Sequence, residues 1–111
     1  MSHYDAQIAI RDQLVAAGVN ATDDPRSATP PCVLVPPPDR RYDLACSYTA
    51  IWHIWALAPN PGNADTSKVL DDLCDAVADV LDVSRMTLRT YNLSNDSGQL
   101  PAYDIEMEQG V

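Results

Sequence analysis

Few side chains in this sequence have the type and spacing that chemistry requires. His53 is one of two histidines, and it lies in the apolar run Trp52-His53-Ile54-Trp55 with no cysteine or acidic residue beside it. A lone histidine within a strand is typical of a packed, hydrogen-bonded side chain, and the alternative is a ligand or a general base. His3 lies close to the N-terminus. We therefore expect no catalytic histidine.

The other reactive residue types form no recognisable site either. Ser47 and Ser67 have neither a nucleophile-elbow context nor a base nearby in the sequence. The chain has three cysteines, Cys32, Cys46 and Cys74. Without a CxxC pair, they are typical of small buried residues in a reducing compartment. The acidic pairs at 23–24 and 71–72 match no calcium loop, and no Gly-rich phosphate loop is present. We expect no catalytic residue, no cofactor and no metal.

The charge balance narrows the class of partner. Sixteen acidic and seven basic residues give a net charge of −9, which argues against binding nucleic acid by neutralising its phosphates. An acidic surface repels DNA and anionic membranes. Its role is either ordinary solubility or to form a channel surface that DNA passes without binding. The N-terminus lacks the pattern of a signal peptide, and no apolar run is long enough to span a membrane.

The 111 residues predict a single domain, 1–111, built around the segment Cys46–Ala58 (CSYTAIWHIWALA). Its β-branched and aromatic residues, without Gly or Pro, predict a long strand that begins as early as Tyr42. Such a strand spans roughly 43 Å, whereas a domain of this length has a diameter of about 34 Å. We expect the strand to bend or to project towards a neighbour, which makes Trp55 a candidate contact residue.

Two helices are predicted. The first, Ser2–Gly18, has a broad apolar stripe, and Gly18 is a natural stop. The second, DTSKVLDDLCDAVADVLD at 65–82, is strongly amphipathic and packs one side on the sheet. Its opposite side carries a run of aspartates, and Asp71, Asp75 and Asp79 are its candidate functional residues. This acidic stripe is either a solvated face or a wall towards DNA or a basic partner.

Shorter strands complete the fold. Cys32–Val35 follows the loop Asn20–Pro31 and ends at a triple proline, while Met86–Asn92 and Ala102–Gln109 close the chain. In the last strand, alternation places Ile105 inward and Asp104 and Glu106 outward. The predicted class is α+β, a mixed or mainly antiparallel sheet of about four strands with two helices packed on it, in the order α-β-β-α-β-β.

Arg40 and Arg41 form the one basic spot that is visible in the sequence. With Asp39 they are predicted to form the polar tip of the connection into the long strand. The pair either solubilises this tip or meets the aspartate helix of an adjacent copy. The second arrangement is a head-to-tail contact of the kind that generates rings.

The element order and chain length resemble the small tail terminator proteins of long-tailed bacteriophages. The matching features cover most of the chain: the helix at 2–18, the strand CVLV with its proline-rich exit, the strand CSYTAIWHIWALA, the helix DTSKVLDDLCDAVADVLD, and the closing pair MTLRTYN and AYDIEMEQ.

The resemblance implies a structural virion protein with neither cofactor nor catalytic residues. It would form a ring, expected to be a hexamer, on the last layer of the tail tube, and offer a docking surface to the head-side connector or stopper. Genome DNA would pass through the lumen without sequence-specific binding. Assembly would take place in the host cytoplasm, and the protein would end in the neck region of the tail. The candidate interface or lumen residues are Arg40, Arg41, Trp55, Asp71, Asp75 and Asp79.

Alternatives remain open. Another head–tail joining protein, such as a stopper or adaptor, would share the small size and the acidity. A small ligand-binding or regulatory module, or a small enzyme using His53 with a carboxylate, would belong to a different class and would require a deep pocket.

Overall fold

A computed structural model describes residues 3–42, 48–58, 66–92 and 99–110. Within these ranges lie two α-helices and a mixed six-stranded sheet, which confirms the α+β class. The elements are α1 (His3–Ala16), β1 (Ala21–Thr22), β2 (Cys32–Leu34), β3 (Asp39–Tyr42), β4 (Tyr48–Leu57), α2 (Thr66–Val80), β5 (Arg85–Asn92) and β6 (Gln99–Gly110). A short 3₁₀ helix, Pro25–Ser27, lies between β1 and β2.

The sheet has more strands than the expected four. Its order is β1-β2-β4-β6-β5, and β3 pairs with β4 outside this path. Every pairing is antiparallel except that of β1 with β2. The additional strands are β1, which is only two residues long and falls in the predicted loop, and β3. Neither is long enough or apolar enough to be recognised by its residue pattern alone.

β3 corrects the prediction of a polar tip at Asp39–Arg41. Its residues pair with the first half of β4, from Asp39 opposite Ile51 to Tyr42 opposite Tyr48. Tyr42 therefore belongs to the partner strand and is not the start of the long strand. Cross-strand contacts explain how so polar a segment becomes a strand, because the Tyr42 and Tyr48 rings lie 5.4 Å apart.

Both helices pack on the same side of the sheet, which we call the helix face. Alternate residues of β4, from Ala50 to Ala56, point to this side and are fully buried. The main core gathers these residues with others from both helices and from β2 and β6, including Ile10, Leu14, Val33, Val35, Cys74, Val77, Ile105 and Met107. The amphipathic pattern of α2 is confirmed, since Leu70, Cys74 and Val77 are its buried residues.

The first helix buries only one side of the broad stripe that was expected, the side that carries Ile10 and Leu14. Tyr4 and Val15 are 60% and 52% exposed, whereas Gln7 is buried and its Nε2 donates a hydrogen bond of 2.8 Å to the carbonyl of Val35. The helix ends at Ala16, and Gly18 just beyond it is the predicted stop, with a φ of 87° that suits a residue without a side chain. Val19 there donates its amide to the carbonyl of Leu14.

The opposite side of the sheet, which we call the outer face, carries Thr49, Ile51, His53 and Trp55 from β4. At one end of this face a second apolar cluster forms under the segment that contains Ala28: Ala28, Cys32, Leu34, Leu57, Leu100 and Ala102. The molecule measures 49 × 27 × 23 Å. Its length exceeds the 34 Å or so expected of a globular domain of this size. Cys46 and Ser47, the predicted start of the long strand, lie outside the described residues.

Candidate functional site

The outer face assembles a cluster of ionisable side chains around His53. The β4–β6 pairing sets His53 opposite Glu106 and Trp55 opposite Asp104. Nδ1 of His53 lies 2.9 Å from Oδ1 and 3.2 Å from Oδ2 of Asp104. On the other side of the ring, Nε2 lies 3.3 Å from Oδ2 of Asp39 in β3. The histidine is therefore held between carboxylates from two neighbouring strands.

These carboxylates determine the protonation of His53. Burial by itself lowers its pKa, but the hydrogen bond to Asp104 and the charges of Asp104, Asp39 and Glu106 together raise it by more. The pKa of His53 consequently lies above its ordinary value, and the imidazolium form donates a proton towards each flanking carboxylate. Asp104 is only 7% exposed, so the expected outward carboxylate is in fact buried.

Arginines balance the remaining acidic groups of the outer face. Arg89 Nε lies 3.8 Å from Asp104 Oδ2, and Arg41 Nη1 lies 3.6 Å from Glu108 Oε1. Arg85 stands opposite Glu106 in the β5–β6 pairing. The prediction that residues 40 and 41 form the one basic spot is therefore wrong. The fold collects arginines from β3 and β5 on this face, beside acidic residues from β3 and β6.

Alternation along β3 separates Arg40 from Arg41. Arg41 contacts Glu108 on the outer face, whereas the guanidinium of Arg40 lies 4.6 Å from the centre of the Tyr48 ring on the helix face. Arg40 Nη1 also donates to the Tyr42 hydroxyl at 3.1 Å. We call Arg40, Tyr42 and Tyr48 the hairpin patch. Tyr42 is 62% exposed, so this patch offers a cation and an accessible aromatic ring to a partner.

The acidic stripe of α2 borders a groove on the same face. Asp71, Asp75 and Asp79 are all exposed. Asp71 and Asp75 line a groove of about 670 Å³ between α2 and β5, with Leu88, Met86 and Tyr103 among its apolar walls. Leu88 is 64% exposed. We call this region the acidic groove, since it joins an accessible apolar floor to a rim on which Asp71 and Asp75 outnumber Lys68.

The acidic groove also holds a thiol. Burial, with a smaller contribution from the charges of Asp71 and Asp75, raises the pKa of Cys74 to about 11. The thiol is consequently neutral at physiological pH and is a poor nucleophile. This agrees with the prediction of a structural cysteine.

Trp55 lies apart from both of these surfaces. It is half-buried on the outer face, and its ring packs against Tyr91 with the two centroids 5.0 Å apart. Both rings cover the second apolar cluster. Trp55 therefore has a packing role within the chain, and the structure does not bring it together with Arg40 or with the α2 aspartates.

Residue types and spacing did not reveal the cluster around His53. Its members come from β3, β4 and β6, and the pairing of β4 with β6 joins His53 to residues about fifty positions away in sequence. The one sequence feature that pointed to this cluster was the alternation in β6, which placed Asp104 and Glu106 together on the side away from the core.

None of the helices in the described part of the chain is long and apolar enough to cross a membrane. No protein-family model matches the sequence, and no curated protein matches it either.

Proposed function

We propose that this protein is a ring-forming structural subunit of the tail terminator kind, which closes a phage tail tube and joins it to the head-side connector. The observation that carries the proposal is the placement of two complementary surfaces, the hairpin patch and the acidic groove. They occupy opposite edges of one sheet, as a head-to-tail contact between successive copies requires.

The sheet order fixes this placement. β3 pairs with the edge of β4 that faces away from β6, and β5 is the last strand beyond β6. Tyr42 stands opposite Tyr48, and Leu88 stands opposite Tyr103, so both side chains lie on the helix face. A contact between different patches on successive copies is heterologous, and it closes into a ring when the rotation per copy permits.

The chemistry of the two surfaces is complementary. The ring of Tyr42 is exposed, and so is the apolar surface around Leu88. The ring of one copy could therefore pack against that surface of the next copy. Arg40 beside Tyr42 would meet Asp71 and Asp75 on the rim of the groove. Opposite charges at such a contact steer association and fix its register.

The free edge of β5 adds to this contact. Among the described residues its partner in the sheet is β6 alone, and the strand runs for eight residues from Arg85 to Asn92. An edge of this length presents unpaired backbone groups that another chain can pair with. The net charge of −9 on each copy would make the assembled ring repel the phosphates of passing DNA.

Disulfide cross-linking tests the contact. In a Cys46→Ser background, Tyr42→Cys combined with Leu88→Cys is expected to give a ladder of covalent oligomers that ends at a closed ring. Each variant with only one of the two introduced cysteines should remain monomeric, because the contact sets residue 42 against residue 88. A mixture of the two variants should form mixed dimers. Negative-stain images should show rings with a central hole.

A matched charge reversal sharpens the test. Arg40→Glu should abolish the ladder, and Asp71→Lys with Asp75→Lys in the same chain should restore it. Asp82→Lys, which changes an exposed aspartate that does not line the groove, is the control. A chain that remains uncross-linked at high concentration and in the presence of tail tube protein would refute the proposal. Binding to the head connector without the tube would favour a stopper or adaptor.

A further inference from the structure

The cluster around His53 has no part in the proposed ring contact. It lies on the outer face, whereas the hairpin patch and the acidic groove lie on the helix face. His53, Asp104 and Glu106 each offer one ligand atom, and these atoms all lie within 4.8 Å of one another. The cluster combines an imidazole with two carboxylates on adjacent strands, a composition found in metal sites.

We propose that His53, Asp104 and Glu106 bind one divalent transition-metal cation, with Zn²⁺ as the preferred ion. An imidazole nitrogen is a ligand for Zn²⁺ and its neighbours in the transition series, whereas Mg²⁺ and Ca²⁺ favour oxygen ligands alone. A set of one nitrogen and two carboxylate oxygens therefore selects a borderline cation. Three protein ligands leave a position open for water.

The spacing of the ligand atoms suits such an ion. Ligands about 2.0–2.2 Å from Zn²⁺ in tetrahedral geometry lie about 3.4 Å from one another. Nδ1 of His53 and Oδ1 of Asp104 are separated by 2.9 Å, so a small rotation of either side chain opens the required distance. Glu106 stands directly opposite His53 in the β4–β6 ladder, which brings its carboxylate to the same place.

The local charge also favours a cation. Asp39, Asp104 and Glu106 surround the ring of His53, and Asp104 is buried. A bound metal must first displace the proton that these carboxylates favour on His53. A second competing cation is Arg89, whose Nε lies 3.8 Å from Asp104 Oδ2 and whose side chain is 59% exposed. Because that side chain reaches solvent, it can move aside when a metal binds. Two well-paired strands hold the three ligands, so the site is largely formed before the ion arrives.

Calorimetric titration with Zn²⁺ tests the site. The protein should carry His3→Ala, which removes the other histidine, and Cys46→Ser. We expect one Zn²⁺ per chain, weaker binding of Mn²⁺, and no competition from Mg²⁺. His53→Gln, Asp104→Asn and Glu106→Gln should each weaken Zn²⁺ binding at least tenfold. Asp72→Asn, an exposed carboxylate on α2, should leave it unchanged.

Removal of the competing arginine should strengthen Zn²⁺ binding, whereas removal of a ligand should weaken it. Arg89→Gln should tighten Zn²⁺ binding several-fold, because Asp104 then loses its cationic neighbour. Circular dichroism establishes that each variant is folded. If Asp104→Asn does not fold, His53→Gln and Glu106→Gln decide the matter. Absence of saturable Zn²⁺ binding, or binding that persists in both of those variants, would overturn the site.

Discussion

The outer face of the sheet and the exposed side of α2 are both rich in acidic residues, but they differ in the burial and pairing of those residues. On the outer face, Asp104 is buried and contacts His53 and Arg89. On α2, Asp71, Asp75 and Asp79 are exposed, and the nearby ion pair of the helix, Lys68 with Asp72, spans 3.7 Å between largely exposed side chains. One acidic set is neutralised within the fold, and the other remains available to solvent or to a partner.

This difference means that folding depends on the acidic residue of the outer face far more than on those of α2. A buried carboxylate needs its cationic partners, because an unpaired charge out of water is costly. An exposed aspartate contributes little to folding, and a row of like charges is slightly unfavourable. The exposed aspartates of α2 therefore add nothing to folding stability that offsets the repulsion between them. This supports the subunit contact proposed for Asp71 and Asp75.

The sharpest test of the comparison is a pair of alanine substitutions. Asp104→Ala should lower the free energy of unfolding by about 3 kcal/mol, because it leaves the half-buried His53 and its neighbours without their central carboxylate. Asp75→Ala should change it by less than about 0.5 kcal/mol. Urea denaturation with a chelator present, to keep metal out of the cluster, measures both values. Equal losses would mean that burial does not distinguish the two regions.

A second test uses the thiol beneath the acidic stripe. The folded chain raises the pKa of Cys74 from the ordinary 9.0 to about 11, so folding favours the neutral thiol. The resulting stability is present below pH 9 and is lost as the pH rises towards 11, because the unfolded chain ionises first. We expect a loss on the order of 2 kcal/mol at pH 11.

Urea unfolding between pH 8 and 11 measures this loss, and Cys74→Ala is the matched control. The substitution should flatten the pH dependence without abolishing it, since burial also raises the pKa of Cys32. A slope that is identical in the variant would show that Cys74 titrates normally and that the groove does not shield it.

Local patterns predicted part of this architecture, and long-range pairing determined the rest. The apolar period of α2 and the alternation of β6 concern residues close in sequence, and both predicted elements exist. The strand at Arg40 was missed because its stability depends on Tyr48 across the hairpin. The His53–Asp104 contact was missed because it depends on the register of strands that α2 and β5 separate in the chain.

The smallest expected effect concerns the end of α2. Asp79 lies in the last turn of a helix that ends at Val80, where a negative charge opposes the helix dipole. Asp79→Lys should therefore raise the free energy of unfolding by about 0.5 kcal/mol, from the dipole and from weaker repulsion within the stripe. Because screening removes this gain, it should fall with added salt.

The matched control is Asp72→Lys, at a position nearly two turns from the start of the same helix. There the substitution removes the partner of Lys68, so it should stabilise less than Asp79→Lys or slightly destabilise. Thermal melts at low and high salt measure both variants. If Asp79→Lys gave no salt-dependent gain, the stripe would carry no electrostatic cost to folding, and the argument that it exists for a partner would lose its energetic basis.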